Sequence, residues 1–378
     1  MKTYFLAAIS CLILLPGLAH AFPEMVRHGY VNCTSCHVSP TGGGVLNLYG
    51  RTLSKEVLST WGKDSEAPFA HGLIKTPEWL DIGGDFREAY LYANTPSFQE
   101  GRLIFMQADL EAAATWNKWS IASSIGYRSP LAGTTLSDYL ISRRHYLIYR
   151  PTDEISFRVG RFLYAYGINM PDHTVIVRGG LAGARTGLRI NDEGYETYNL
   201  EAAWVGEKNT TFVTGILGRP DSSDLKREQG IAVNSSIPIG ESHKIGVSYL
   251  YGVNDDLKRQ VFGPYGILGF SHHFFLLSEM DFQSANSRKL VAAPSTQGFA
   301  NYNRLDYEWV QGFHTYLTQE FGRLDFARES SVVKSYGVGT QFFPRPHFEF
   351  NFTWQKQVIR AQGPDSQDVA YLLFHYYP

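Results

Sequence analysis

Cysteine is scarce: the chain of 378 residues holds three, and one of them, Cys11, lies in an apolar N-terminal run. The other two, Cys33 and Cys36, are too few for a disulfide framework. They also fall short of a structural zinc site, which needs about four ligands, and no second cysteine or histidine pair follows at fixed spacing. Long apolar runs are missing as well. Beyond the N-terminal stretch no segment reaches the roughly 20 apolar residues of a membrane-crossing helix. Neither sign of charge dominates, with a formal net charge of −2. Composition therefore gives no sign of a nucleic-acid partner or a strongly basic surface.

What is present begins with an export address. Lys2, the apolar run Tyr4 to Leu15 and the small-residue site Ala19-His20-Ala21 form a signal peptide over 1–21. The mature chain is then expected to start at Phe22, outside the cytoplasmic membrane. Next comes Cys33-Thr34-Ser35-Cys36-His37. Two thiols separated by two residues match the two vinyl groups of a haem, and the following histidine is placed to ligate its iron. A thioredoxin-like pair would need a βαβ setting, whereas the flanks Gly29 to Asn32 and Ser39 to Gly44 are loop-like. An exported disulfide is the plainer alternative.

Residues 22–78 read as one small, mainly helical and loop segment carrying a single covalent haem c. A helix is expected over Val45 to Trp61, with Leu46, Tyr49, Leu53 and Val57 on one apolar face that could lie on the haem or on another protein surface. Arg27 and Arg51 are candidates for the haem propionates, because guanidinium suits carboxylates. Besides His37, the iron could take His28, placed first, His71 next, or Met25.

From Leu80 the period becomes two. Ile82, Gly84, Phe86, Tyr90 and Tyr92 alternate with Asp81, Asp85 and Arg87, with Glu88 and Leu91 out of phase. Ile104, Met106, Ala108 and Leu110 oppose Gln107, Asp109 and Glu111. Tyr198, Leu200, Ala202 and Trp204 oppose Thr197, Asn199 and Glu201, and Phe348, Phe350, Phe352 and Trp354 oppose His347, Glu349, Asn351 and Thr353. Strands of about ten residues, apolar on one side only, are the mark of an outer-membrane barrel. The 24 phenylalanines, 23 tyrosines and seven tryptophans suit strands and membrane interfaces.

Short connections are read at Thr115 to Lys118, Pro151 to Glu154, Val205 to Asn209, Pro238 to Ser242, Phe270 to His273, Trp309 to Gly312 and Pro344 to Pro346. They alternate with longer polar stretches at Asn94 to Glu100, Ser129 to Ser137, Asp221 to Arg227, Asn254 to Lys258, Ser284 to Gly298, Asp325 to Ser331 and Ala361 to Gln367. This gives an all-β transmembrane antiparallel barrel of about 16 strands over 79–378 with short periplasmic turns. The count requires Ala165 to Gly194 to be one long loop after the fifth strand, where sixteen-stranded porins carry the loop that narrows the pore. That loop holds His173, Arg178, Arg185 and Arg189. A competing reading makes Gly180 to Arg189 an extra strand. The last strand, Tyr371 to Tyr377, is aromatic but ends in Pro378 rather than the usual Phe or Trp.

Pro23, Arg27 and Gly29 before the motif, the motif itself, Pro40 and Leu46-Asn47-Leu48-Tyr49-Gly50-Arg51 after it, and one barrel filling the rest resemble the fused cytochrome-porin family, whose members include outer-membrane iron oxidases. The resemblance implies an electron conduit, possessing Fe(II):cytochrome c oxidoreductase activity where iron is the donor. Electrons would pass between an extracellular donor or acceptor and a periplasmic c-type cytochrome. Cys33 and Cys36 would tether the haem and His37 would ligate it, with residues 22–78 plugging the barrel. The alternative is a diffusion porin with a structural or regulatory haem, its selectivity set by lumen charges such as Asp109, Glu111, Arg143, Arg158 and Glu349. A soluble periplasmic β-protein carrying a haem is a third reading.

Overall fold

The structure, a computed structural model, describes residues 23–378 apart from 96–98, 128–139, 169–171, 173, 180–187, 189, 191–195, 221–226, 290–294 and 364–365. The expected signal peptide over 1–21 and the loop residues His173, Arg185 and Arg189 lie outside the described residues, as does most of Gly180 to Arg189.

Alternating residues from Leu80 onward form one antiparallel sheet. Its first strands are β1 (Leu80–Asn94), β2 (Gln99–Trp116), β3 (Trp119–Tyr127), β4 (Leu140–Ile141), β5 (His145–Tyr149) and β6 (Ile155–Phe162). After a long connection come β7 (Thr197–Val205), β8 (Thr210–Gly218), β9 (Gln229–Ile239), β10 (His243–Val253), β11 (Leu257–Gly269) and β12 (Phe274–Ser287). The last five are β13 (Thr296–Val310), β14 (Phe313–Arg323), β15 (Val332–Phe342), β16 (Phe348–Ile359) and β17 (Ser366–Tyr376). Both β4 and β5 pair with β3, so they are two pieces of one interrupted strand and the barrel has sixteen. Closure comes from β1, which pairs with β2 on one edge and with β17 on the other.

The two faces invert the usual order of a soluble protein. Leu110, Ile121, Leu200, Val213, Phe262, Leu317 and Phe352 are exposed on the outside, while Asp109, Glu111, Arg158, Glu201, Glu279 and Glu349 are buried on the inside. The inner charges pair with one another, as in Arg158–Glu201 and Arg259–Glu228, both at 2.7 Å. An apolar exterior over a polar lumen is what a bilayer requires of a barrel.

Every short connection read from the sequence is a tight turn between paired strands. One facing assignment and one connection length change. A bulge at Met106 shifts the β1–β2 register, pairing Glu88 with Phe105 and Ala89 with Ile104. The extra residue turns Ile104 to the lumen face, against its expected outward position, while β1 alternates without a break, leaving Glu88 on the outer face and Leu91 on the lumen face. The stretch Asn254 to Lys258 is also tighter than its polarity suggested, because Asn254 Oδ1 accepts from the backbone N–H groups of Asp256 and Leu257.

The connection after the fifth strand turns into the lumen. Arg178 donates to both carboxylate oxygens of Glu279 at 2.7 and 3.0 Å, Tyr166 donates to Asp281 at 3.1 Å, and the Ile176 N–H donates to Glu320 at 2.6 Å. These three wall positions belong to β12 and β14, so the loop crosses the interior. The glutamate holds Arg178 firmly in its charged form despite complete burial.

If the outer face meets lipid, Leu200→Arg should lower barrel stability by roughly 2–4 kcal/mol near the bilayer midplane. Equilibrium unfolding in lipid vesicles measures it.

Candidate functional site

The segment 23–78 is held against the inside of the barrel at its short-turn end. On one side Arg27 donates to Glu308 of β13 at 2.7 Å and its guanidinium stacks 4.8 Å from the Phe275 ring of β12. On the other, Arg158 of β6 donates to Ser39 Oγ at 2.8 Å and Thr41 Oγ1 at 3.1 Å. Val38 and Val45 pack into a cluster with Ala113, Tyr146, Ile148 and Phe162 of the wall. The Thr60 and Trp61 N–H groups donate to Phe343 O and Pro344 O at 2.8 and 3.0 Å.

Within this segment the cysteine motif is a single tight turn. The N–H groups of Cys36 and His37 both donate to Cys33 O, at 3.3 and 3.1 Å, and Asn32 Oδ1 accepts from Thr34 Oγ1 at 2.8 Å. Gly42, Gly43 and Gly44 follow with φ of 79°, 68° and 66°, a left-handed run that returns the chain so that His37 bridges Leu46. A Cβ on Gly42 would stand 3.1 Å from Cys33 Sγ, so glycine lets the backbone close over the thiol. Asn47 then fixes the far side. Its N–H donates to Cys36 O at 2.9 Å, its Nδ2 donates to Ser35 O at 3.0 Å, and its Oδ1 caps the following helix by accepting from the Gly50 N–H at 2.8 Å.

That helix, α1 (Leu48–Leu53), is shorter than the expected Val45 to Trp61, and a π-helical turn over Ser54–Leu58 follows it. The π turn moves the buried position after Leu53 from the expected Val57 to Leu58. Leu53 and Leu58 are buried, whereas Tyr49, expected on that face, points outward against Tyr30.

Cys33, Cys36, His37, Leu46 and Leu53 line a cavity of about 1010 Å³, closed by Ala165, Gly167 and Ile168 of the inward loop and by Tyr265 and Ile267 of β11. Its size is at the upper end of ligand pockets, about 300–1,000 Å³. Burial raises the pKa of both thiols, Cys36 to about 12, while the Lys244 ammonium pulls Cys33 the other way. His37 is lowered to about 4, first by burial and further by Arg144, against a backbone contact from Gly44. Its ring is therefore neutral at pH 7, the form that ligates metal, and Nδ1 is buried without a well-formed hydrogen bond. Two thiols and a neutral imidazole facing one roomy, largely apolar cavity fit a covalently held haem. Among the described residues no three His, Cys, Asp or Glu side chains converge as a metal cage.

Of the other haem candidates, Arg27, Arg51, His28 and His71 stand apart from this cavity. Arg27 is committed to Glu308 and donates through Nε to His28 at 2.8 Å. Arg51 donates to Ile82 O and stacks over Phe69. One buried guanidinium nitrogen on each, Nη1, has no hydrogen-bond partner among the described residues. His28 contacts His272, Nδ1 to Nδ1 at 3.3 Å. His71 stacks on Phe348 and Tyr376 at the barrel rim. Of the three proposed second ligands, Met25 is the one on the cavity wall. Sequence reasoning missed Lys244 and Arg144, which the wall contributes beside the motif.

No protein-family model matches the chain, and no curated protein matches it. Solved structures do. An anion-selective porin from Comamonas acidovorans aligns with TM-score 0.59 at 9% identity, over 79% of this chain and 99% of that one. A loop L8 deletion mutant of OmpT from Vibrio cholerae gives 0.58 at 11%, over 79% and 99%. The barrel has the porin fold. The outer membrane channel DcaP of Acinetobacter baumannii gives 0.53 at 12%, over 81% and 99%. Porin fold and outward apolar belt together place the chain in an outer membrane. Whole porin chains thus align with about four-fifths of this one, and the remainder matches residues 1–78 in length.

Two expectations follow. Gly50→Ala would force a Cβ to within 2.9 Å of Cys36 Cβ, an overpacking worth about 1–3 kcal/mol, and limited proteolysis should then cut 23–78 faster with the barrel intact. His347, fully buried, receives the segment through its N–H to Ser54 Oγ and its Nε2 to Ala67 O, both 3.0 Å. Burial above all lowers its pKa to about 4. The released state takes up a proton below about pH 6.5 and the held state only below about 4. Attachment should therefore be full above pH 6.5 and weaken on acidification to pH 4, by roughly 3 kcal/mol. His347→Gln should flatten that protease-sensitivity profile.

Proposed function

We propose that this chain is an outer-membrane electron conduit, a porin-fold barrel whose periplasmic end is occupied by a monohaem segment. The observation that carries the reading is the position of Cys33, Cys36 and His37, together on the wall of a large cavity inside the barrel. Cys33 and Cys36 would hold the haem through thioethers and His37 would supply an imidazole nitrogen to its iron. When bound, the haem supplies one-electron exchange. The barrel keeps lipid away, and the inward loop pinned by Arg178–Glu279 forms the cavity's other wall. An extracellular donor such as Fe(II), or an acceptor if flow is reversed, exchanges electrons through the lumen with a periplasmic c-type cytochrome. Arg27 and Arg51, committed to Glu308 and to Ile82 O, are assigned no contact with the haem in this reading.

A second reading, a diffusion porin whose haem is structural or regulatory, has the stronger support from the solved structures, which are porins and channels. Single-channel conductance separates the two. The conduit reading predicts covalent haem absorption and a barrel that conducts only after deletion of residues 22–78. High conductance with that segment in place favours solute diffusion, and absence of covalent haem sinks the conduit.

A further inference from the structure

The cavity is lined by six cations: Arg87, Arg102, Arg143, Arg144, Lys244 and Arg304. Five have a carboxylate of their own. Arg87 pairs with Asp85, Arg102 with Glu100, Arg143 with Asp109, Arg144 with Glu111 and Arg304 with Asp306. Among the described residues Lys244 alone of the six has none. It stands on the inward phase of β10, between outward Ile245 and the turn, and its Nζ donates to Val31 O at 2.7 Å. Val31 is two residues ahead of Cys33, and the ammonium is near enough to Cys33 to act on its thiol through space.

A cation removed from water without a counter-ion is costly, and a carbonyl oxygen satisfies one of its three donors without neutralising it. Its surroundings therefore favour an anionic group entering the cavity beside the two thiols. A haem tethered there brings two carboxylates. We infer that Lys244 is the barrel's contribution to the haem site, pairing with a haem carboxylate and fixing a positive charge beside the cofactor. The inference rests on the haem reading above. It makes the cofactor site a joint product of the N-terminal segment and the barrel wall.

A nearby positive charge favours the form carrying the added electron, so its loss lowers the reduction potential. Redox titration of the purified full-length protein tests this. Lys244→Gln retains a donor for Val31 O and removes only the charge. It should cut the reduced-to-oxidised ratio at fixed potential about tenfold, ~59 mV for a one-electron couple, while Lys244→Arg stays near wild type. Lys244→His gives a second readout: its potential should match wild type at pH 5 and fall as pH rises through the imidazole range. Potentials of both neutral variants equal to wild type would overturn the role of Lys244 and leave the haem reading standing. A wild-type protein without covalent haem would overturn both.

Discussion

Strand β1 is hydrogen-bonded to β2 along one edge and to β17 along the other, and this closure leaves no strand edge facing lipid. In a bilayer an unpaired N–H or C=O costs several kcal/mol, so the closed ladder is what allows the rest of the sequence its freedom. With backbone polarity satisfied around the ring, each strand can present apolar side chains outward and charges inward. The inward charges satisfy one another in pairs, and the surplus polar groups are available to hold something inside.

The N-terminal segment uses that surplus. It brings a loop-rich backbone with its own carbonyls and hydroxyls into the lumen, and the wall answers with Arg158 to Ser39 and Thr41, Lys244 to Val31 O, and Arg150 to Val38 O. Irregular backbone at membrane depth is tolerated where protein surrounds it. The inward loop reaches the opposite wall through Glu279, Asp281 and Glu320, and its Tyr166 and Ile168 join Val26 of the segment in one apolar cluster. Segment, loop and wall thus enclose one cavity between them, with the cysteine motif on its surface.

Much of this was legible because it is local. Leu200 and Trp204 against Asn199 and Glu201 spell the two faces of β7, and the turn at Pro151 is announced by its own residues. The cysteine motif is likewise complete within five residues. What lay hidden depends on registers that composition does not record. One extra residue at Met106 reverses the facing of Ile104 without altering its neighbourhood in sequence. The π turn after Leu53 puts Leu58 rather than Val57 in the buried position. Lys244 could be placed on the lumen phase from its alternation with Ile245 and Val247, but nothing local ties it to Val31 across more than two hundred residues. Arg27 and Arg51 were drawn toward a cofactor by proximity in sequence, whereas Glu308 and Ile82 O engage them in space.

The most direct test is electron transfer across a sealed membrane. The protein is reconstituted in vesicles that entrap an oxidised c-type cytochrome, with Fe(II) or another membrane-impermeant donor outside. The account predicts reduction of the entrapped cytochrome, abolished by Cys33→Ala/Cys36→Ala, while an entrapped small solute is retained. An entrapped cytochrome that stays oxidised while the solute escapes would contradict it.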